Sequence, residues 1–237
     1  MAVFATDAVG SVGGGHLELQ ATQVARAGLH LPTSMPAFQR YALGPSLGQC
    51  CGGDVQLQFE HFTDNDAAAL KALKERLTQA HPTVVLFGGG HVGRALVQVL
   101  AGLPLQVHWI DSRDEIFPKD LAAQVVCDNV DPVQSAVADL APGACVLIMS
   151  FSHAEDLEVV AACLQRQRTH ADLRYIGLIG SRTKWARFRA RLLERGFTDQ
   201  ELELVTCPIG VPGIQGKQPE VIAVAVAAQI LQRLNAS

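Results

Sequence analysis

The chain has 237 residues, 49% of them apolar and 18% charged, with 19 Lys and Arg against 23 Asp and Glu for a net charge of −4. That apolar content suffices for one large domain or two small ones, and the weak negative charge gives no reason to expect binding to nucleic acid or an acidic membrane. No apolar run reaches the roughly 18 residues of a membrane span, and Met1–Asp7 carries no basic segment ahead of an apolar stretch, so neither a span nor a leader peptide is expected.

The first β-prone run is Val3–Ala5. Gly10-Ser11-Val12-Gly13-Gly14-Gly15-His16-Leu17-Glu18 then forms a glycine-rich turn into a helix predicted over Leu17–Ala27, with Gly28 as its stop. Glycines in series can present a nest of N–H groups to an anion. A tight entry into the helix, with Glu18 favouring its positive end, explains them equally well. A second run, Arg40–Leu43, precedes Leu47-Gly48-Gln49-Cys50-Cys51-Gly52-Gly53. Adjacent thiols among small and polar neighbours suit a loop rather than a core. They do not suit one tetrahedral zinc, which favours ligand spacings of two to four residues. A thiolate there could meet a soft metal or accept sulfur. Val55–Phe62 alternates Val55, Leu57 and Phe59 with Gln56, Gln58 and Glu60, as a half-buried strand does. Residues 1–62 therefore read as a small α+β domain. Thr63-Asp64-Asn65-Asp66 offers N-cap chemistry to a helix over Ala67–Gln79, so residues 63–82 read as a helical connector.

From Thr83 strands and helices alternate. Strands are predicted at Thr83–Phe87, Leu105–Ile110, Gln124–Cys127, Ala144–Met149 and Leu173–Ile179. Helices are predicted at Val92–Leu100, from Asp131-Pro132 with Pro in the first turn, at Ala154–Gln167, at Arg182–Arg195 and at Val221–Leu234. Residues 83–237 thus predict a Rossmann-like, doubly wound parallel sheet, an α/β fold. Cys127, Cys145 and Cys163 fall on strands or helices as core residues, and the six cysteines contain no CxxC pair, which favours free thiols in a reducing compartment.

Gly88-Gly89-Gly90-His91-Val92-Gly93 is GxGxxG between strand and helix, with Gly88 for the tight turn, Gly90 for close ligand approach and Gly93 for helix–strand packing. Asp111 lies about 20 residues on, where a carboxylate can accept from a ribose hydroxyl. The shape survives changes of ligand, and the glycines could serve packing alone. His91 at the helix start could contact a phosphate, although a solvated histidine is the favoured reading. Ile176-Gly177-Leu178-Ile179-Gly180-Ser181-Arg182 opens a further helix at the ligand-binding edge of the sheet, with Ser181 as N-cap and Arg182 and Lys184 near the cleft. The loop Cys207–Glu220 holds three prolines and three glycines before its helix, and Lys217 near that helix start could hold an anion.

Gly10–Glu18 (GSVGGGHLE), Leu43–Gly53 (LGPSLGQCCGG), Gly88–Gly93, Ile176–Lys184 (IGLIGSRTK) and Cys207–Pro219 (CPIGVPGIQGKQP) together resemble, in order and from end to end, the XdhC/CoxI family. The resemblance implies a cytoplasmic accessory protein rather than an enzyme. It would bind and protect the molybdenum cofactor (molybdopterin), support its sulfuration with a cysteine desulfurase, and insert it into apo xanthine dehydrogenase in purine catabolism. A homodimer is left open. Carried onto this chain, Cys50 or Cys51 would face molybdenum or sulfur. Gly13, Gly14, Gly15 and Glu18 would shape the amino-terminal half of the pocket, and Gly88, Gly90, Gly93, Asp111, Ser181, Arg182 and Lys217 would line the other. Family members usually carry a further strand ahead of this start, so the amino-terminal domain reads as truncated, with an edge left open. The alternative is an NAD(P)-dependent oxidoreductase using the GxGxxG cleft. It is less favoured because the only tyrosines, Tyr41 and Tyr175, start no Tyr-x-x-x-Lys pair.

Overall fold

The computed structural model describes residues 1–30, 37–42, 53–63, 66–77 and 81–235. Its contacts divide the chain into Met1–Gln79 and Ala80–Ser237. In the first unit β1 (Ala2–Val3) pairs antiparallel with β2 (Ala8–Val9). The Phe4 amide donates to the Asp7 carbonyl at 2.8 Å, so the chain turns where the sequence predicted continued strand. α1 (Gly15–His30) buries Leu17, Ala21 and Gly28. It runs through Gly28, which is buried, instead of stopping there. β3 (Phe38–Ala42) and β4 (Asp54–Gln58) pair antiparallel, and Arg40 grips Asp54 across them through Nε and Nη2 at 2.6 and 2.7 Å. α2 (Ala67–Leu77) completes the unit.

The second unit is built on parallel strands. β5 (Thr83–Phe87) leads into α3 (His91–Leu100), then β6 (Gln106–Asp111), β7 (Val125–Asn129) and a 3-10 helix over Val133–Asp139. β8 (Cys145–Ile148), α4 (His153–His170), β9 (Tyr175–Leu178), α5 (Arg182–Glu194), α6 (Asp199–Leu202), β10 (Val205–Thr206) and α7 (Pro219–Asn235) follow. The helix expected from Pro132 is the 3-10 helix, with Pro132 as its N-cap rather than in its first turn. α6 and β10 were not expected. They are too short to show a period, although Thr198 and Glu201 form a capping box.

The strands join in the order β10-β9-β8-β5-β6-β7, all parallel. The order reverses direction between β5 and β8, and loops at the carboxyl ends of the strands part there. Alternate side chains fill two cores. Val85, Phe87, Ile110, Val146 and Ile148 pack with α4, α5 and the 3-10 helix, while Val84, Leu86, Val107, Trp109 and Leu147 pack with α3 and α7. Both faces are covered, which is why the strands read as unbroken apolar runs.

Candidate functional site

The crevice at the β5–β8 reversal is formed by the loops after β5, β6, β8 and β9. Gly88 leaves β5 with φ +122°, and a Cβ there would collide with the Met149 carbonyl at the end of β8. Its carbonyl accepts from Trp109 Nε1 at 2.9 Å, and Trp109 is itself buried. A Cβ on Gly93 would collide with the Gly88 carbonyl, so α3 sits directly on the turn. Gly90 differs from both. It is the N-cap of α3, it is exposed, and nothing lies within 4 Å of where its Cβ would be. Among the described residues no side chain caps α3, so its first-turn amides are left for solvent or a ligand, the arrangement that receives anions at helix N-termini. His91 is exposed at that terminus. Arg94 braces the turn, donating from Nη2 to the Ile116 carbonyl at 2.8 Å and from Nε to the Gly89 carbonyl at 3.3 Å.

Asp111 lies at the end of β6, as expected, but its carboxylate is fully engaged. Oδ2 accepts from the Gly89 amide at 2.5 Å and Arg113 Nη2 at 2.9 Å. Oδ1 accepts from the Arg113 amide and Nε, both at 2.9 Å. The residue is 2% exposed. Burial alone would raise its pKa, but the hydrogen bonds from Arg113 and Gly89 prevail and hold the carboxyl below its ordinary range. The Arg113 guanidinium also lies 4.5 Å from the ring centroid of Phe151, which is 64% exposed at the lip. Glu155 joins neighbouring loops, accepting from Ser112 Oγ at 2.8 Å and the Phe151 amide at 3.1 Å.

On the β9 side Ser181 caps α5, accepting from the Lys184 amide at 3.1 Å. Lys184 is not free for a ligand: its ammonium donates to Asp156 at 2.6 Å and to the Ile179 carbonyl at 2.8 Å. Asp156 also accepts from the Ser150 amide at 2.7 Å. Ser150 Oγ is buried with no hydrogen-bond partner among the described residues. Arg182 and Lys217 are exposed, and neither side chain has an ion-pair partner among the described residues.

A family model described as the XdhC Rossmann domain matches residues 84–230. The chain belongs to the XdhC family. The crystal structure of a xanthine dehydrogenase from Bacillus halodurans superposes with a TM-score of 0.66 at 19% identity, covering 95% of this chain and 82% of its own. The uncharacterized protein YqeB of Escherichia coli (strain K12) is 29% identical over 157 residues, which span 65% of this chain and 28% of YqeB. A Rossmann-fold NAD(P)-binding family protein from Shigella flexneri aligns at 15% identity over 65% of this chain and 88% of its own, with a TM-score of 0.41.

Against this XdhC fold, the remaining predicted residues can be placed. Cys50 and Cys51 lie outside the described residues. Gly13, Gly14 and Gly15 all have positive φ rather than the alternating handedness of a regular nest, and the first unit itself takes up the amides of this turn. Glu18 accepts from Ser11 Oγ at 2.5 Å and from the Val12 and Gly14 amides, each at 3.2 Å. Those bonds, from Ser11 first, hold the Glu18 carboxyl below its ordinary range. Among the described residues no group of three or more His, Cys, Asp and Glu could hold a metal ion, and no helix is long and apolar enough to cross a membrane. Sequence reading missed Arg113, Phe151, Asp156 and Glu155. Only Arg113 left a signal, an arginine two residues beyond the strand-end aspartate.

Burial silences three of the four thiols of this unit, Cys145, Cys163 and Cys207. It pushes Cys145 and Cys207 up to about 11 and Cys163 up to about 12. At about pH 8 all three stay protonated, so iodoacetamide should leave them unmodified in the native fold and alkylate them in denaturant, as read by peptide mass spectrometry. Rapid native labelling of Cys163 would contradict this burial.

Proposed function

We propose that this chain is an accessory protein of xanthine dehydrogenase that holds the molybdenum cofactor, supports its sulfuration and passes it to the apo enzyme in the cytoplasm. Membership of the XdhC family and the likeness to a structure named as a xanthine dehydrogenase support the partner. The observation that carries the cofactor reading is the open terminus of α3 at Gly90, which has room and unpaired amides for a phosphate. A phosphorylated pterin would suit that cradle, and Phe151 offers an exposed ring at the lip of the crevice. When bound, the cofactor brings the molybdenum. The residues described here would hold the phosphate, and Cys50 or Cys51 would supply the thiol.

Gly90 has φ −70°, which any residue adopts, and Asp is favoured at an N-cap. Gly90→Asp should therefore keep the fold while its carboxylate takes the amides a phosphate needs. Molybdopterin affinity should fall by about 100-fold by equilibrium dialysis, whereas Cys50→Ala/Cys51→Ala should lose on the order of tenfold. Undiminished affinity in Gly90→Asp would remove the phosphate from α3. Failure of the cofactor-loaded chain to activate apo xanthine dehydrogenase would remove the delivery role.

The NAD(P) reading rests on the same turn and sheet order. It needs a carboxylate able to receive ribose hydroxyls, and Asp111 has all its lone pairs occupied.

A further inference from the structure

We infer that Arg113 is a specificity-determining residue which closes the ribose half of this cleft by imitating a ribose diol. A carboxylate has about four lone-pair positions, two on each oxygen. In Asp111 all four are filled: one by the Gly89 amide, one by the Arg113 amide, and two by the Arg113 guanidinium. The two guanidinium bonds fall one on each oxygen, Nε on Oδ1 and Nη2 on Oδ2, both at 2.9 Å. A vicinal diol would use that same pair of positions. The bidentate guanidinium brings a positive charge to the carboxylate, which an uncharged diol does not, so exchange of the arginine for a ribose is unfavourable. The guanidinium is also held by the Phe151 ring at 4.5 Å, and its side chain, 32% exposed, covers a carboxylate that is otherwise buried.

The cleft is thus open at its phosphate end and shut at its ribose end. It admits a phosphorylated ligand that places no ribose diol against Asp111 and rejects a dinucleotide. This holds whichever anion the α3 terminus receives.

Removing the side chain frees one position on each Asp111 oxygen and leaves the Gly89 and Arg113 amides in place. ADP-ribose and NADH are the probes, titrated by calorimetry and by NADH fluorescence to about 1 mM. The native chain should show no saturation. Arg113→Ala, and Arg113→Met with its apolar stem retained against Phe151, should bind both probes at least about tenfold more tightly than the native chain. Adding Asp111→Asn to the Arg113→Met variant should reverse the gain, since an amide offers one acceptor oxygen where the diol needs two. Saturable micromolar binding by the native chain overturns the inference. So does a variant that keeps a native cooperative melt and gains nothing. Both outcomes are independent of molybdopterin binding, which reads the Gly90 end alone.

Discussion

Gly88→Ala should be among the most damaging single substitutions in the second unit, costing about 3–5 kcal/mol and on the order of 10 °C in Tm. Two penalties combine. At φ +122° an alanine is strained whatever surrounds it. Its methyl group would also meet the Met149 carbonyl and the Ser150 amide, which are backbone atoms at the end of a neighbouring strand and cannot rotate away. Relaxation is blocked further because the Gly88 amide donates to the Ile110 carbonyl at 2.8 Å, the Gly88 carbonyl accepts from Trp109, and the Met149 amide donates to the Phe87 carbonyl at 2.8 Å. The turn is therefore fixed to β6 and β8 at once. Gly90→Ala is the control: its φ is −70° and the space is open, so the change should cost no more than about 1 kcal/mol, the loss of a favoured N-cap residue. Calorimetric melts of the two variants decide the matter, and equal melting temperatures would contradict the packing at Gly88.

Asp156→Leu should cost about 3–5 kcal/mol in urea denaturation. The Asp156 and Lys184 side chains are only 3% and 11% exposed, so each charge has left water on the strength of the other. Removing the carboxylate leaves the Lys184 ammonium with the Ile179 carbonyl and the face of the Phe188 ring but no counter-charge, and it also orphans the Ser150 amide. Lys184→Met should cost a similar amount by leaving a buried carboxylate. The double variant Asp156→Leu/Lys184→Met should recover about half of the summed loss, because no unpaired charge remains. Simple additivity of the two single losses would show that the pair does not couple. The pair joins α4 to α5 and ties down the loops that follow β8 and β9, so the single variants should also loosen the crevice and weaken ligand binding there.

Much of this was legible in the sequence because its causes are local. Thr83–Phe87 and Ala144–Met149 are unbroken apolar runs, and a strand covered on both faces requires that pattern. Ser181 reads as an N-cap because a hydroxyl one residue before a helix has a nearby amide to accept from. Gly88 and Gly93 read as a tight turn and a packing contact, and each position excludes a Cβ for that reason. The same local reading failed at Gly28, where a stop signal lies inside α1 because burial outweighs propensity.

How each polar group is used was set by folding. Spacing puts Asp111 where a ribose acceptor belongs, yet the return of the chain two residues later brings Arg113 onto it and fills its lone pairs. Lys184 reads as a cation at the cleft, but Asp156, distant in the chain, meets it only once α4 and α5 join the same core. Glu18 and the Gly13–Gly15 turn look like two features of a pocket and prove to be partners. The period of the apolar residues sets secondary structure within a few residues of chain. Whether a charge remains available to a ligand depends on neighbours brought by folding, and those carry no periodic signal.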